Sequence, residues 1–250
     1  MKRNAAPRDL ARLAGAWASA LLMLLAVPAW AGDRAGIDFI GFSEDGGFFA
    51  FEEFGIQDGS GFAYANLYVI DTAKDAWVKD TPVRIRVDDE TTSLGEVRQR
   101  AQRQAKPVLD RLGIDGAVEV LALNGDGALD SNPGELSFGL PGYGRDEPRG
   151  DYRLSLASHI VTSPLPCADW FSMPPLGYQL TLSEGDNTRL VHDETSIPES
   201  RGCAQEYRLY TVLQPFWAQQ IDKAVAIVAV YPGGFEGPDR RFIAVPLGQP

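Results

Sequence analysis

The 250-residue chain is 44% hydrophobic and carries a formal net charge of −11. A surface that acidic repels phosphate backbones and anionic headgroups, which argues against nucleic acid and leaves cations, neutral sugars or a basic protein surface as partners. A chain of this length can bury a core of ordinary size without covalent staples.

The first 31 residues read as an export signal. Lys2, Arg3, Arg8 and Arg12 precede an uncharged apolar run from Leu13 to Val27, and Ala29-Trp30-Ala31 supplies the small-x-small pattern of a cleavage site. The run is shorter than the roughly 20 residues of a spanning helix, so removal after Ala31 is expected rather than retention as an anchor. No cysteine stands near the cut for a lipid anchor, and no Arg-Arg pair directs the chain to the twin-arginine route. Residues 1–31 contribute four basic and one acidic side chain, so residues 32–250 stand at −14 against the chain's −11. They form one expected domain, exported to the periplasm or beyond, with no membrane insertion after cleavage. The two cysteines, Cys167 and Cys203, lie in that part, and an oxidising compartment favours a disulfide between them. A redox pair would want C-x-x-C spacing.

Beyond the signal the hydrophobic period is mostly two. Ile37, Phe39 and Gly41 alternate with Asp38, Ile40 and Phe42; Glu44-Asp45-Gly46-Gly47 turns the chain; Phe48 to Phe54 returns. A Gly-rich connection (55–61) leads to a third strand near Phe62 to Ile70. A fourth begins at Trp77 and ends in Val83 to Val87. One amphipathic helix follows, over about 93–112. Ser93 and Glu96 are spaced as a capping box, Leu94, Val97, Ala101, Ala105, Val108 and Leu112 share a face, and Gly113 stops it. Its basic remainder, from Arg98 to Arg111, reads as a solvated face docked on an acidic body. Strands then resume at Val118–Leu123, Leu136–Leu140, Tyr152–Val161, Tyr178–Leu182, Arg189–His192, Tyr207–Val212, Ala224–Tyr231 and Phe242–Val245. A Cys167–Cys203 bridge would tie the base of the 178–192 hairpin. The expected fold class is mainly β: a single antiparallel β-sandwich-like or propeller-like domain with one packed helix.

Candidate binding residues are few. Glu52 and Glu53 are neighbours on a strand, so they face opposite ways and cannot act on one atom; Glu53 shares its face with Phe49 and Phe51, and a buried carboxylate there would shift its pKa upward. Gln57 and Asp58, in the 55–61 loop, have the chemistry to hydrogen-bond a sugar or hold a cation, though turn formation alone explains them. Trp217 and Trp170 lie on loops with faces suited to stacking. Glu236, Asp239 and Arg240 mark a hairpin tip with a polar contact surface. Residues 124–135 offer Asn124, Asp126, Asp130, Asn132 and Glu135 to a calcium loop but place Leu129 where that loop needs glycine. His159 and His192 lack a third ligand at zinc spacing, and the adjacent pairs Ser158-His159 and His192-Asp193 point to opposite faces. No nucleophile elbow, phosphate loop or dinucleotide fingerprint occurs, so neither a catalytic residue nor a cofactor is expected.

The stretch FSEDGGFFAF (42–51) resembles the repeat turn of TolB-type β-propellers, although a propeller would show it several times. A longer pattern carries more: IGFSEDGGFFAFEEFGIQDGSGF (40–62), NLYVID (66–71), SRGC (200–203) and FEGPDRRFIAV (235–245). Together they resemble a family of predicted secreted bacterial proteins of unknown function. That resemblance implies export and a single domain, and no reaction. The expected function is an exported, non-catalytic binding or accessory protein acting on a protein, glycan or cation of the cell envelope. The alternatives are a hydrolase with a carboxylate or metal site, and a purely structural envelope protein.

Overall fold

The period-two segments pair into antiparallel sheets. The computed structural model describes residues 32–127, 132–142, 148–216, 218–234 and 236–248. The N-terminal sheet comprises β1 (Gly36–Ser43), β2 (Phe48–Ile56), β3 (Ala63–Asp71), β4 (Ala76–Trp77), β5 (Val83–Arg86) and, after helix α1 (Leu94–Leu112), β6 (Ile114–Gly116). A middle sheet has the order β14-β13-β12-β7, from β7 (Val118–Leu123), β12 (Ala204–Pro215), β13 (Val225–Pro232) and β14 (Arg241–Pro246). An outer sheet runs β11-β10-β9-β8, from β8 (Glu135–Leu140), β9 (Arg149–Ile160), β10 (Leu176–Glu184) and β11 (Asn187–Asp193).

Successive side chains of a strand point to opposite faces, and this sorts the core into layers. On β13, Ala226, Val228 and Val230 pack with the outer sheet, while Val225, Ile227 and Ala229 pack with the N-terminal sheet. β13 is therefore dry on both sides, which is why VAIVAV carries no polar alternation. On β2 the same parity sends Phe49 and Phe51 toward the middle sheet and Phe48 and Ala50 toward α1. The layers run helix, sheet, sheet, sheet. They stack face to face, and no radial array of blades forms among the described residues. The sandwich-like reading holds, and the resemblance of residues 42–51 to a TolB-type propeller turn is not borne out. The β1–β2 hairpin closes on Asp45, whose Oδ1 accepts from Gly47 N–H at 2.9 Å and from Ser43 Oγ at 2.6 Å.

Several local expectations are corrected. Strict alternation would place Phe42 with Ile40, but the register shifts between Phe39 and Gly41, and Phe42 joins Phe49 on the middle-sheet side. Gly41 permits this: at φ 156° it lies so near Gly116 O that a Cβ would come within 2.7 Å. The expected fourth strand divides into β4 and β5 around Thr81-Pro82, because proline offers no N–H to a ladder. Only half of the capping box forms. Glu96 N–H donates to Ser93 Oγ at 3.2 Å, while the Glu96 carboxylate turns outward to Arg100 at 2.6 Å.

The helix docks through Glu52. This fully buried carboxylate accepts from Arg98 Nε at 3.1 Å, Arg98 Nη2 at 2.9 Å and Gln102 Nε2 at 3.1 Å. Arg98 also pairs with Asp38 and lies over the Phe54 ring, 3.8 Å from its centroid. The remaining helix charges are solvated or paired within the helix, as Lys106 is with Asp110 at 2.7 Å. The Cys167–Cys203 disulfide forms, with Cα atoms 5.4 Å apart, and joins the short helix α2 (Cys167–Phe171) to the start of β12.

Two stability outcomes are expected. Arg98→Ala leaves the Glu52 charge in a dry interface with one amide partner and should destabilise by about 3 kcal/mol, whereas replacing both Glu52 and Arg98 by Met should recover most of it; urea denaturation reads both. Opening the disulfide with Cys167→Ser and Cys203→Ser together removes a 36-residue crosslink, for which chain entropy gives a loss of about 4 kcal/mol.

Candidate functional site

β14 is the terminal strand of the middle sheet, and the sheets on either side extend past it. Five consecutive residues, 241–245, line one cavity of about 720 Å³. Residues of both parities do so, which means the strand's edge, not one face, forms the floor. β2, β3 and the turn to β4 make one wall; β10, β11 and the segment around Arg201 make the other. The size falls within the usual range of small-ligand sites, about 300–1,000 Å³.

The first wall is aromatic. Phe51 stacks on Tyr68 with centroids 4.8 Å apart, Tyr68 meets Trp77 at 5.8 Å, and the Arg84 guanidinium lies 5.5 Å from the Trp77 centroid. The ladder follows from register: Phe51 is paired with Tyr68, and Ile70 with Trp77. Trp77 is 49% exposed, so the outer end of the ladder is open. Arg84 has no carboxylate at ion-pair distance among the described residues.

At the floor sits an acid–arginine cluster. Glu53 is buried; its Oε2 accepts the Phe242 N–H at 2.9 Å and its Oε1 accepts from Asn66 Nδ2 at 3.2 Å. A terminal strand has no neighbour to receive its outer N–H groups, and Glu53 supplies the missing acceptor. Arg241 reaches Asp33 at 2.8 Å, Asp239 at 3.3 Å and Glu53 at 3.9 Å. Tyr64 donates to Asp33 at 3.1 Å. Burial pushes the Glu53 and Asp33 carboxyls above their ordinary range, against the pull of Arg241.

The second wall carries a histidine between two acids. His192 Nδ1 is 3.7 Å from Asp75, and its Nε2 is 3.6 Å from Glu194 Oε1. These are ion-pair separations rather than hydrogen bonds. Asp75 first, then Glu194, raises the imidazolium pKa to about 9 against the effect of burial. Asp75 sits at φ 47° in the β3–β4 turn, a conformation that aspartate tolerates, and this brings an N-terminal-sheet acid to an outer-sheet histidine. Arg201 holds Glu194 Oε1 at 3.0 Å. Tyr178 stacks on His192 at 4.9 Å and meets the Tyr207 ring at a tilt, with centroids 4.8 Å apart.

Two residues singled out from sequence, Glu53 and Asp239, therefore meet in this cleft. Gln57 and Asp58 do not: they remain in the β2–β3 turn, where Gln57 accepts from Ser60 Oγ at 3.5 Å. Glu236 is exposed and outside the lining, and Trp217 lies outside the described residues. Arg240 is not a surface contact. It is buried, donates to Ala35 O at 2.6 and 3.0 Å, and pairs with Asp126 at 2.6 Å. Asp126 is thereby committed to Arg240 and to Arg34 at 3.2 Å, and Asn124 Nδ2 donates to three backbone carbonyls. Asp130 lies outside the described residues. Among the described residues no group of three or more His, Cys, Asp or Glu is placed to hold a metal ion.

Sequence reasoning missed Tyr178, His192, Arg201, Arg241, Trp77 and Arg84 as members of one site. Part of the signal was available, since Glu194 stands two residues after His192 and shares its face. The partner from the far turn, Asp75, left none.

A family model described as predicted secreted protein (DUF2259) matches residues 50–247, and the chain belongs to that family. No curated protein and no solved structure matches. No helix among the described residues is long and apolar enough to cross a membrane.

The histidine makes stability depend on pH. Its folded pKa lies above the unfolded value of 6.5, so its contribution is complete below about pH 6.5 and is lost as pH rises through about 9. The groups facing it are Asp75, Glu194 and Tyr178, with Arg201 behind Glu194. Melting temperature should fall across that window by a few degrees more in the native chain than in His192→Gln, and the ring protons should titrate near 9 by NMR.

Proposed function

We propose that this member of a predicted secreted family is an exported binding protein whose ligand occupies the cleft at the β14 edge. One observation carries the reading: an aromatic ladder, half-open at Trp77, faces a wall of polar groups across a cavity of ligand size. Ring stacking on one side and orienting polar groups on the other are the usual elements of small-ligand recognition.

The charged groups of the cleft favour binding over hydrolysis. A general base needs a lone pair aimed at its proton, and a general acid needs a proton free to leave. Glu53 spends both oxygens on Phe242 N–H and Asn66. Asp75 and Glu194 are held against His192 and Arg201. With a pKa near 9, His192 is a cation at neutral pH and a poor base.

A thermal-shift screen of residues 32–250 against envelope-type ligands (sugars, peptidoglycan fragments, divalent cations, short peptides) tests the reading. A ligand at 100 times its Kd adds about 2.7 kcal/mol, which for a chain of this size is a rise of roughly 5–10 °C. Trp77→Ala should abolish that rise while leaving the ligand-free melting temperature within about 2 °C. Silence across the panel, or a rise that survives Trp77→Ala, would count against the cleft.

A further inference from the structure

Three buried polar atoms in this wall have no hydrogen-bond partner among the described residues: the Tyr178 hydroxyl, on a side chain of 0% exposure, His192 Nε2, which faces Glu194 Oε1 at 3.6 Å, and Glu194 Oε2. Tyr178 and His192 line the cavity, and Glu194 stands behind them. Burying such groups unpaired costs about 1–3 kcal/mol each, and the contacts of the Tyr178 ring, stacked on His192 and tilted against Tyr207, hold the hydroxyl in place. A protonated imidazole only donates; a phenol donates and accepts. An ionised carboxylate oxygen only accepts, so the group that can serve this set is one that itself donates and accepts, as an alcohol does.

The charges of the lining narrow the class. Although the chain is at −11, the cavity is lined by four basic side chains (Arg84, Arg201, Arg241, His192) and four acidic ones. An anion would meet the carboxylates of Glu53, Asp75, Glu199 and Asp239; a cation would meet the four basic groups. Neither sign is favoured, and a neutral ligand opposes neither. A peptide added as a further strand on β14 is disfavoured as well, since Glu53 already occupies the Phe242 N–H that such a strand would bond.

We infer that the ligand is a neutral saccharide, seated with one ring face on Trp77 and a hydroxyl directed to Tyr178 and His192. This rests on the cleft being a binding site. The aromatic ladder supplies the apolar platform for the C–H face of a sugar ring, and the mixed donors and acceptors of the opposite wall suit its hydroxyls.

Isothermal titration of residues 32–250 with maltose, cellobiose and diacetylchitobiose, beside digalacturonate, spermidine and trialanine, tests the class. Saturable binding of at least one neutral sugar is expected. Trp77→Ala should weaken it about tenfold or more and Tyr178→Phe by about three- to tenfold, with unchanged circular dichroism in both. Binding of digalacturonate, spermidine or trialanine alone would overturn the saccharide assignment and leave the cleft reading standing. Silence from all six probes would remove both. Sugar binding indifferent to Tyr178→Phe would show that the hydroxyl is satisfied by something other than ligand, and indifference to Trp77→Ala would move the site elsewhere.

Discussion

The structure depends on a central strand, β13, that is dry on both faces. β13 alternates its side chains between two cores, so each face requires its own cover. Burial of apolar area drives both contacts, at roughly 25 cal/mol per Å². Neither cover can be withdrawn without exposing half of the VAIVAV strand. The two covers leave a gap where they run past the β14 edge, and the cleft is that gap. Its position follows from packing before any ligand chemistry is considered.

An edge inside a protein has to satisfy its outward backbone groups. Here a side chain does so. Glu53 reaches from the N-terminal sheet to the Phe242 N–H, and Asn66 and Arg241 steady the carboxylate. Its neighbour Glu52 performs the matching task on the opposite face, taking Arg98 and Gln102 from the helix. Two consecutive acids in a phenylalanine-rich strand thus bind two different layers to β2. The cost of burying them is offset for Glu53 by backbone and amide donors on both oxygens and for Glu52 by three donors on Oε2, its Oε1 having no partner among the described residues. The opposite wall has a different organisation. His192 is flanked by acids at ion-pair distance and leaves Nε2 without a hydrogen bond, and Tyr178 leaves its hydroxyl unpaired. One side of the cleft is internally satisfied and the other still has hydrogen bonds to give.

Legibility from sequence tracked the range of the interaction. Strand positions from Phe48 to Phe54 and from Tyr178 to Leu182 follow from alternation. The helix follows from a three-and-four spacing stopped by Gly113, and the disulfide from there being two exported cysteines. Opposite facing of Glu52 and Glu53 follows from parity. Parity failed where a bulge intervened: Gly41 shifts Phe42 to the other side of its strand, and nothing in IGFS distinguishes a bulge glycine from a strand glycine. The reading of Arg240 as a surface residue failed as well: it sits in a polar, turn-rich stretch yet is buried against Ala35, 205 positions away.

By itself the sequence determined an acidic, period-two β chain of the secreted family, with one amphipathic helix and a disulfide, because each of these is a local property or a property of composition. Only the tertiary structure decided the order of the layers, the burial of both faces of β13 and the meeting of Asp75 with His192 across 117 positions. Such pairings depend on which sheet lies over which. Many stackings bury comparable apolar area, and the choice among them is made by shape and long-range hydrogen bonding that no short window of sequence contains.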